Sequence, residues 1–159
     1  MVSAKRPVCL ITGPSSGIGL ELATLFARAG HDLVLVARSR DKLESIGRAL
    51  SEEYGITATV IAKDLADLAS PRAVAEEVGA RGLLLDVLVN NAGLGVYGLF
   101  AETPLDKELE MLRVNVAALT LLTKLFLPGM LERKRGKILN VASTAGFQPG
   151  PLIDRKSVV

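Results

Sequence analysis

The stretch VCLITGPSSGIG, residues 8–19, decides how the rest of the chain is read. Its first five residues are apolar or β-branched and read as a buried strand, and the chain then runs without a linker into Gly13. Beyond it, Ile18, Leu22, Leu25, Phe26 and Ala29 recur at helical spacing, and Gly30 stands where a helix C-cap is expected. Strand, glycine turn and helix follow one another directly. Glycines at such a junction allow positive φ and close backbone approach, while the helix N-terminus offers unbonded N–H groups and a partial positive charge. Gly13, Ser15, Ser16, Gly17, Ile18 and Gly19 therefore read as a pyrophosphate cradle, with G-x-x-x-G-x-G spacing.

Working outward, short β-rich runs at 8–12, 32–37, 57–62, 86–90 and 137–142 alternate with helix-sized segments. Strands separated by helices imply right-handed βαβ crossovers and a parallel sheet. The expected fold is α/β, a Rossmann-like doubly wound parallel sheet of about five strands in the order 3-2-1-4-5, with helices on both faces. The segment 104–133 is long and apolar around more than one side of a helical wheel, through Leu112, Val116, Leu119, Leu122, Leu125 and Leu127. It needs a partner surface besides the sheet.

Composition narrows the function. A chain of 159 residues suits one core, and 49% hydrophobic with only 4% aromatic residues favours aliphatic strands covered on both faces. Nineteen basic against seventeen acidic residues give a formal charge of +2, so no global field gathers nucleic acid or an anionic surface. The basic run ERKRGK at 132–137 precedes Gly136 and suits a helix C-terminus, which argues against nucleic acid as a partner. Cys9 lies within an apolar strand and reads as core, and the single His31 has no second histidine for a metal site. The most apolar stretch, VNVAALTLLTKLFLPGML, is interrupted by Lys124 and Pro128, so no membrane span is expected and the protein reads as cytoplasmic.

The remaining candidate residues follow the strand ends, where a doubly wound sheet opens its crevice. After the second strand, the first polar side chain in VLVARSRDKL is Arg38, where an acid would hold the ribose hydroxyls of NAD. Asp41, three residues on, suits the next helix N-terminus. An arginine at that place favours a 2′-phosphate and hence NADP(H) over NAD(H). After the third strand, Asp64 and Leu65 in KDLAD border the same crevice, Asp64 as an acceptor for the adenine amine or as a helix cap. After the fourth, Asn91, Ala92 and Gly93 in NNAG line it with backbone or form a plain turn.

Taken together, TGPSSGIG, ARS, KDL, NNAG, RVNV and KILNVASTAG resemble, in order and spacing, the short-chain dehydrogenase/reductase family of nicotinamide-dependent oxidoreductases, over residues 7 to about 152. The resemblance implies hydride transfer between NADP(H) and a small carbonyl or alcohol substrate. It also implies a catalytic set of Asn, Ser, Tyr and Lys: Asn115 matches the asparagine of a water-based proton relay, and Ser143 the serine that polarises the substrate oxygen. The family's tyrosine would fall near position 156, which is Lys156, and its lysine beyond Val159. Tyr54 and Tyr97 are followed four residues on by Ala58 and Ala101, so neither supplies Tyr-x-x-x-Lys. On this reading residues 1–152 form the cofactor-binding domain, residues 153–159 are a tail foreign to the family, and the chain is truncated and inactive as given. The rival reading is a fragment that binds nucleotide or a partner without turnover. The missing catalytic helix, which in the family covers the helix of Asn115, leads to the expectation of a homo-oligomer or an aggregation-prone chain.

Overall fold

In the computed structural model, residues 6–143 are described. The loop expected after Ser143 and the tail 153–159 lie outside them.

Five strands form one parallel sheet: β1 (Val8–Thr12), β2 (Asp32–Ala37), β3 (Ala58–Ala62), β4 (Leu85–Asn90) and β5 (Lys137–Asn140). Their order is β3-β2-β1-β4-β5, as the sequence reading expected. The order reverses direction beside β1, so the crevice at the carboxyl ends of the strands opens next to the glycine turn. Register runs Leu10 opposite Val34 and Leu88, and Val36 opposite Ile61.

Period-two alternation splits the core between the two faces. Leu10, Val34, Val36 and Leu88 pack with Val74, Ala118, Leu122 and Met130 on one face. Cys9, Ile11, Leu33, Leu35, Val87 and Val89 pack with Ala23, Ala27, Leu43 and Leu50 on the other. All five residues of β1 are buried, as expected of a central strand covered on both sides. Its N-terminal end is tied down by Asp86, which accepts from the Val8 N–H at 2.9 Å and pairs with Arg135 at 2.7 Å.

Helix α1 (Gly17–Arg28) faces the sheet differently from its apolar pattern. Its buried residues are Gly19, Ala23 and Ala27, while Ile18 and Leu25 are more than half exposed. Small residues four apart let the helix axis approach the strands closely, a distance that larger side chains would prevent. Its end is as expected: Gly30 takes φ 79°, with Gly30 N–H bonded to Ala27 and His31 N–H to Phe26. Helices α2 (Arg40–Tyr54) and α3 (Ser70–Ala80) cover opposite faces through Leu43 and Leu50 and through Val74 and Val78.

The long segment is one continuous helix, α4 (Leu105–Leu112), a π-helical stretch (Arg113–Ala118) and α5 (Leu119–Glu132). The helical reading of 104–133 holds, and Pro128, which interrupts its apolar run, lies inside the helix without breaking it. The hydrogen bond that proline forgoes would end on Lys124, and both residues are exposed, so the freed carbonyl stays hydrated. By length and composition this helix could cross a membrane, with mean hydropathy 1.6 over its best window. Here it lays Ala118, Leu122 and Met130 against the sheet. β5 is shorter than expected and pairs with β4, leaving Lys137 and Leu139 exposed.

Candidate functional site

A cleft of about 620 Å³ opens at the carboxyl ends of β1 to β4. It is lined by every residue predicted for cofactor binding except Gly17: Gly13, Ser15, Ser16, Ile18 and Gly19 from the first turn, Arg38 from β2, Asp64 and Leu65 from β3, and Asn91 to Gly93 from β4.

The glycines differ in what they do. Gly13 takes φ 68°, and a Cβ there would stand 3.0 Å from Ala92 Cα. Gly19 lies inside α1, and a Cβ would meet Gly13 O at 2.2 Å and Asn91 Nδ2 at 2.4 Å. It is therefore a close-packing glycine that seats the helix on the turn. Gly17, at φ 55°, starts the helix in a conformation L-residues avoid, which is its contribution to the cradle. Ser16 caps α1 without a side-chain hydrogen bond, and no acid occupies the first turn. The opening N–H groups and the positive end of the helix therefore remain available to an anion.

A polar clasp holds this turn to β4. Asn91 Nδ2 donates to Thr12 O at 3.0 Å and Gly13 O at 3.2 Å, while Thr12 Oγ1 accepts from Asn91 N and Ala92 N at 3.0 and 2.9 Å. The Asn91 side-chain amide nitrogen and the backbone N–H groups of Asn91 and Ala92 are thus spent on scaffolding. Thr12 escaped the sequence reading; a hydroxyl closing an otherwise apolar strand was the signal.

The end of the cleft beside β2 and β3 is cationic. No acid stands at the tip of β2, and Arg38, Ser39, Lys42 and Lys63 all line the cleft there. Lys42 and Lys63 were also missed, although Lys42 lies one helical turn beyond Arg38 and Lys63 directly precedes Asp64. Asp41 sits in the first turn of α2, as expected. Asp64 uses Oδ1 to accept from Ala66 N at 3.0 Å, so one carboxyl oxygen shapes the loop after β3. The Arg38 guanidinium lies 3.6 Å from Glu110 of α4, whose other oxygen takes a 2.8 Å bond from Lys107. The Lys107 hydrogen bond and charge, aided by Arg38, hold the Glu110 carboxyl below its ordinary pKa.

Asn115 lies in the π-helical stretch and uses both ends of its amide on one residue: Oδ1 accepts from Leu94 N at 3.0 Å and Nδ2 donates to Leu94 O at 2.9 Å. It fixes the chain leaving β4, and Leu94 and Val114 line the cleft on either side of that contact. Ser143 is exposed, three residues past β5. Neither Asn115 nor Ser143 is among the described lining residues.

Residues 7–154 match the short chain dehydrogenase family. The chain belongs to that family. Among curated relatives of this short-chain dehydrogenase, a very-long-chain 3-oxoacyl-CoA reductase from Anas platyrhynchos is 37% identical over 150 residues, covering 91% of this chain and 47% of the relative. Among solved structures, L-sorbose reductase from Gluconobacter frateurii, complexed with NADPH and L-sorbose, superposes with TM-score 0.90 at 36% identity, over 96% of this chain and 58% of that one. A short-chain dehydrogenase from Sphingobium yanoikuyae in complex with NADPH gives TM-score 0.84 at 36% identity, over 90% and 56%. The chain spans about half the length of the curated relatives it matches.

Proposed function

We propose that the protein from which these residues come is an NADP(H)-dependent oxidoreductase acting on a small carbonyl or alcohol substrate, and that this chain supplies its cofactor-binding part. The observation that carries the reading is the cleft itself: a glycine turn and helix N-terminus at one end, and Arg38, Ser39, Lys42 and Lys63 at the other. That donor set fits a dinucleotide with an extra phosphate. Gly13 and Gly19 pack the turn so tightly against Ala92 and Asn91 that side chains are excluded there, which leaves the backbone bare for a pyrophosphate, and three cations gather where NAD would require an acid. The NADPH complexes of two relatives at 36% identity support the same cofactor.

When bound, the nicotinamide exchanges hydride with the substrate carbon. The chain's own groups then have distinct tasks. The opening N–H groups of α1 hold the pyrophosphate, and Arg38 with Lys42 and Lys63 selects the adenosine phosphate. Asn115 keeps Leu94 in place, and the role proposed for Ser143, on the family resemblance, is to donate a hydrogen bond to the substrate oxygen. The relatives' printed names, very-long-chain 3-oxoacyl-CoA reductase and L-sorbose reductase, both describe reduction of a carbonyl, which supports the reaction class proposed here and leaves the size of the substrate open. These 159 residues contain no Tyr-x-x-x-Lys, so this chain alone binds cofactor without useful turnover. A missing positioned acid/base group costs about 10²–10⁴ in rate.

Calorimetric titration of the chain with NADPH and NADH, on wild type and Arg38→Asp, tests the reading. A charge-assisted phosphate contact of about 1.5–3 kcal/mol predicts about ten- to 150-fold preference for NADPH, lost in the variant. Equal wild-type affinities would remove the proposal.

A further inference from the structure

Of the five described ion pairs, Arg38–Glu110 alone joins a cleft-lining residue to an element on another wall. Glu110 precedes Val114 by four residues, one helical turn, and Val114 lines the cleft. The carboxylate therefore stands at the outer edge of the adenosine end, level with Arg38 at the tip of β2. Its two ties are unequal. Lys107 bonds it at 2.8 Å, while the Arg38 guanidinium stays at 3.6 Å, outside hydrogen-bond range, with a side chain 69% exposed. Glu110 is anchored and Arg38 can leave.

We infer that Glu110 is a specificity-determining residue, an anchored carboxylate that competes with the 2′-phosphate of the cofactor for Arg38. This rests on the NADP(H) reading above. A phosphate entering beside Arg38 must draw the guanidinium from Glu110 and approach a second negative charge. A cofactor that ends in a ribose hydroxyl has no anion to place there and leaves the pair as it is. Glu110 thereby trims the preference that Arg38, Lys42 and Lys63 create. Lys107 moderates it by sharing the carboxylate's charge.

The test is calorimetric binding of NADPH, NADH and adenosine 2′,5′-bisphosphate to the 159-residue chain, with thermal unfolding of each variant to confirm folding. Glu110→Gln is expected to bind NADPH and the bisphosphate about two- to fivefold more tightly, the worth of releasing an exposed ion pair, with NADH unchanged. Lys107→Met, which leaves Glu110 to Arg38 alone, is expected to weaken NADPH binding. In an Arg38→Met background the Glu110→Gln gain should vanish. Unchanged or weaker NADPH binding by Glu110→Gln, or a gain that persists without Arg38, overturns the inference while leaving the cofactor reading intact. Wild type that binds NADPH and NADH equally overturns the cofactor reading, and the inference with it.

Discussion

Gly19→Ala puts the seating of α1 to a quantitative test. The added methyl carbon would stand 2.2 Å from Gly13 O and 2.4 Å from Asn91 Nδ2. Neither neighbour is the free end of a flexible side chain: one is backbone in the glycine turn, and the other is held by bonds to Thr12 O and Gly13 O. The helix must lift or the clasp must open. Overpacking of this kind costs about 1–3 kcal/mol, and weakening the two Asn91 hydrogen bonds adds about 0.5–1.5 kcal/mol each. A loss of about 3 kcal/mol is expected, which for a chain of this size lowers Tm by about 6–12 °C. Urea unfolding followed by circular dichroism measures it, with Gly79→Ala as a control of opposite sign. Gly79 is exposed near the end of α3 with nothing within 4 Å of its built Cβ, so alanine should stabilise by about 0.4–1 kcal/mol. A Gly19→Ala chain that unfolds at the wild-type midpoint, while Gly79→Ala shifts upward, would refute the close-packing argument.

Two further outcomes follow from groups away from the cleft. Asp86→Ala removes the acceptor of the Val8 N–H and the partner of Arg135, and should cost about 1–3 kcal/mol in the same urea assay, with cofactor affinity changed far less than stability. Cys9 is fully buried, and desolvation pushes its thiol pKa well up. Its folded pKa thus exceeds the unfolded value of about 8.5, so the contribution to stability is complete below that pH and declines above it, by about 1.4 kcal/mol per pH unit. Stability measured from pH 8 to 10.5 should fall less steeply for Cys9→Ala than for wild type, and parallel slopes would count against the assignment.

Much of the fold was legible because it rests on local properties. Alternation of β-rich and helix-sized segments, the glycine turn after VCLIT, and Gly30 as a helix end depend on backbone dihedrals and side-chain period, which a short window contains. Parallel order followed from the crossover rule, and the candidate cofactor residues from their places just past strand ends. Other features needed the folded chain. Which face of α1 is buried depends on how near the sheet stands, and the sheet selected Gly19, Ala23 and Ala27 over Ile18 and Leu25. Pro128 was tolerated because its lost bond falls on an exposed side of the helix, a fact of tertiary orientation. The clasp of Thr12 with Asn91 joins residues 79 positions apart, and the Arg38–Glu110 pair joins the tip of β2 to a helix in the other half of the chain. Such contacts are set by which strands lie side by side and which helix crosses above them. Sequence alone determined where the glycine turn and its strands must lie; the assembled sheet decided which charges and hydroxyls meet around it, because distance in space, unlike period along the chain, is a property of the whole fold.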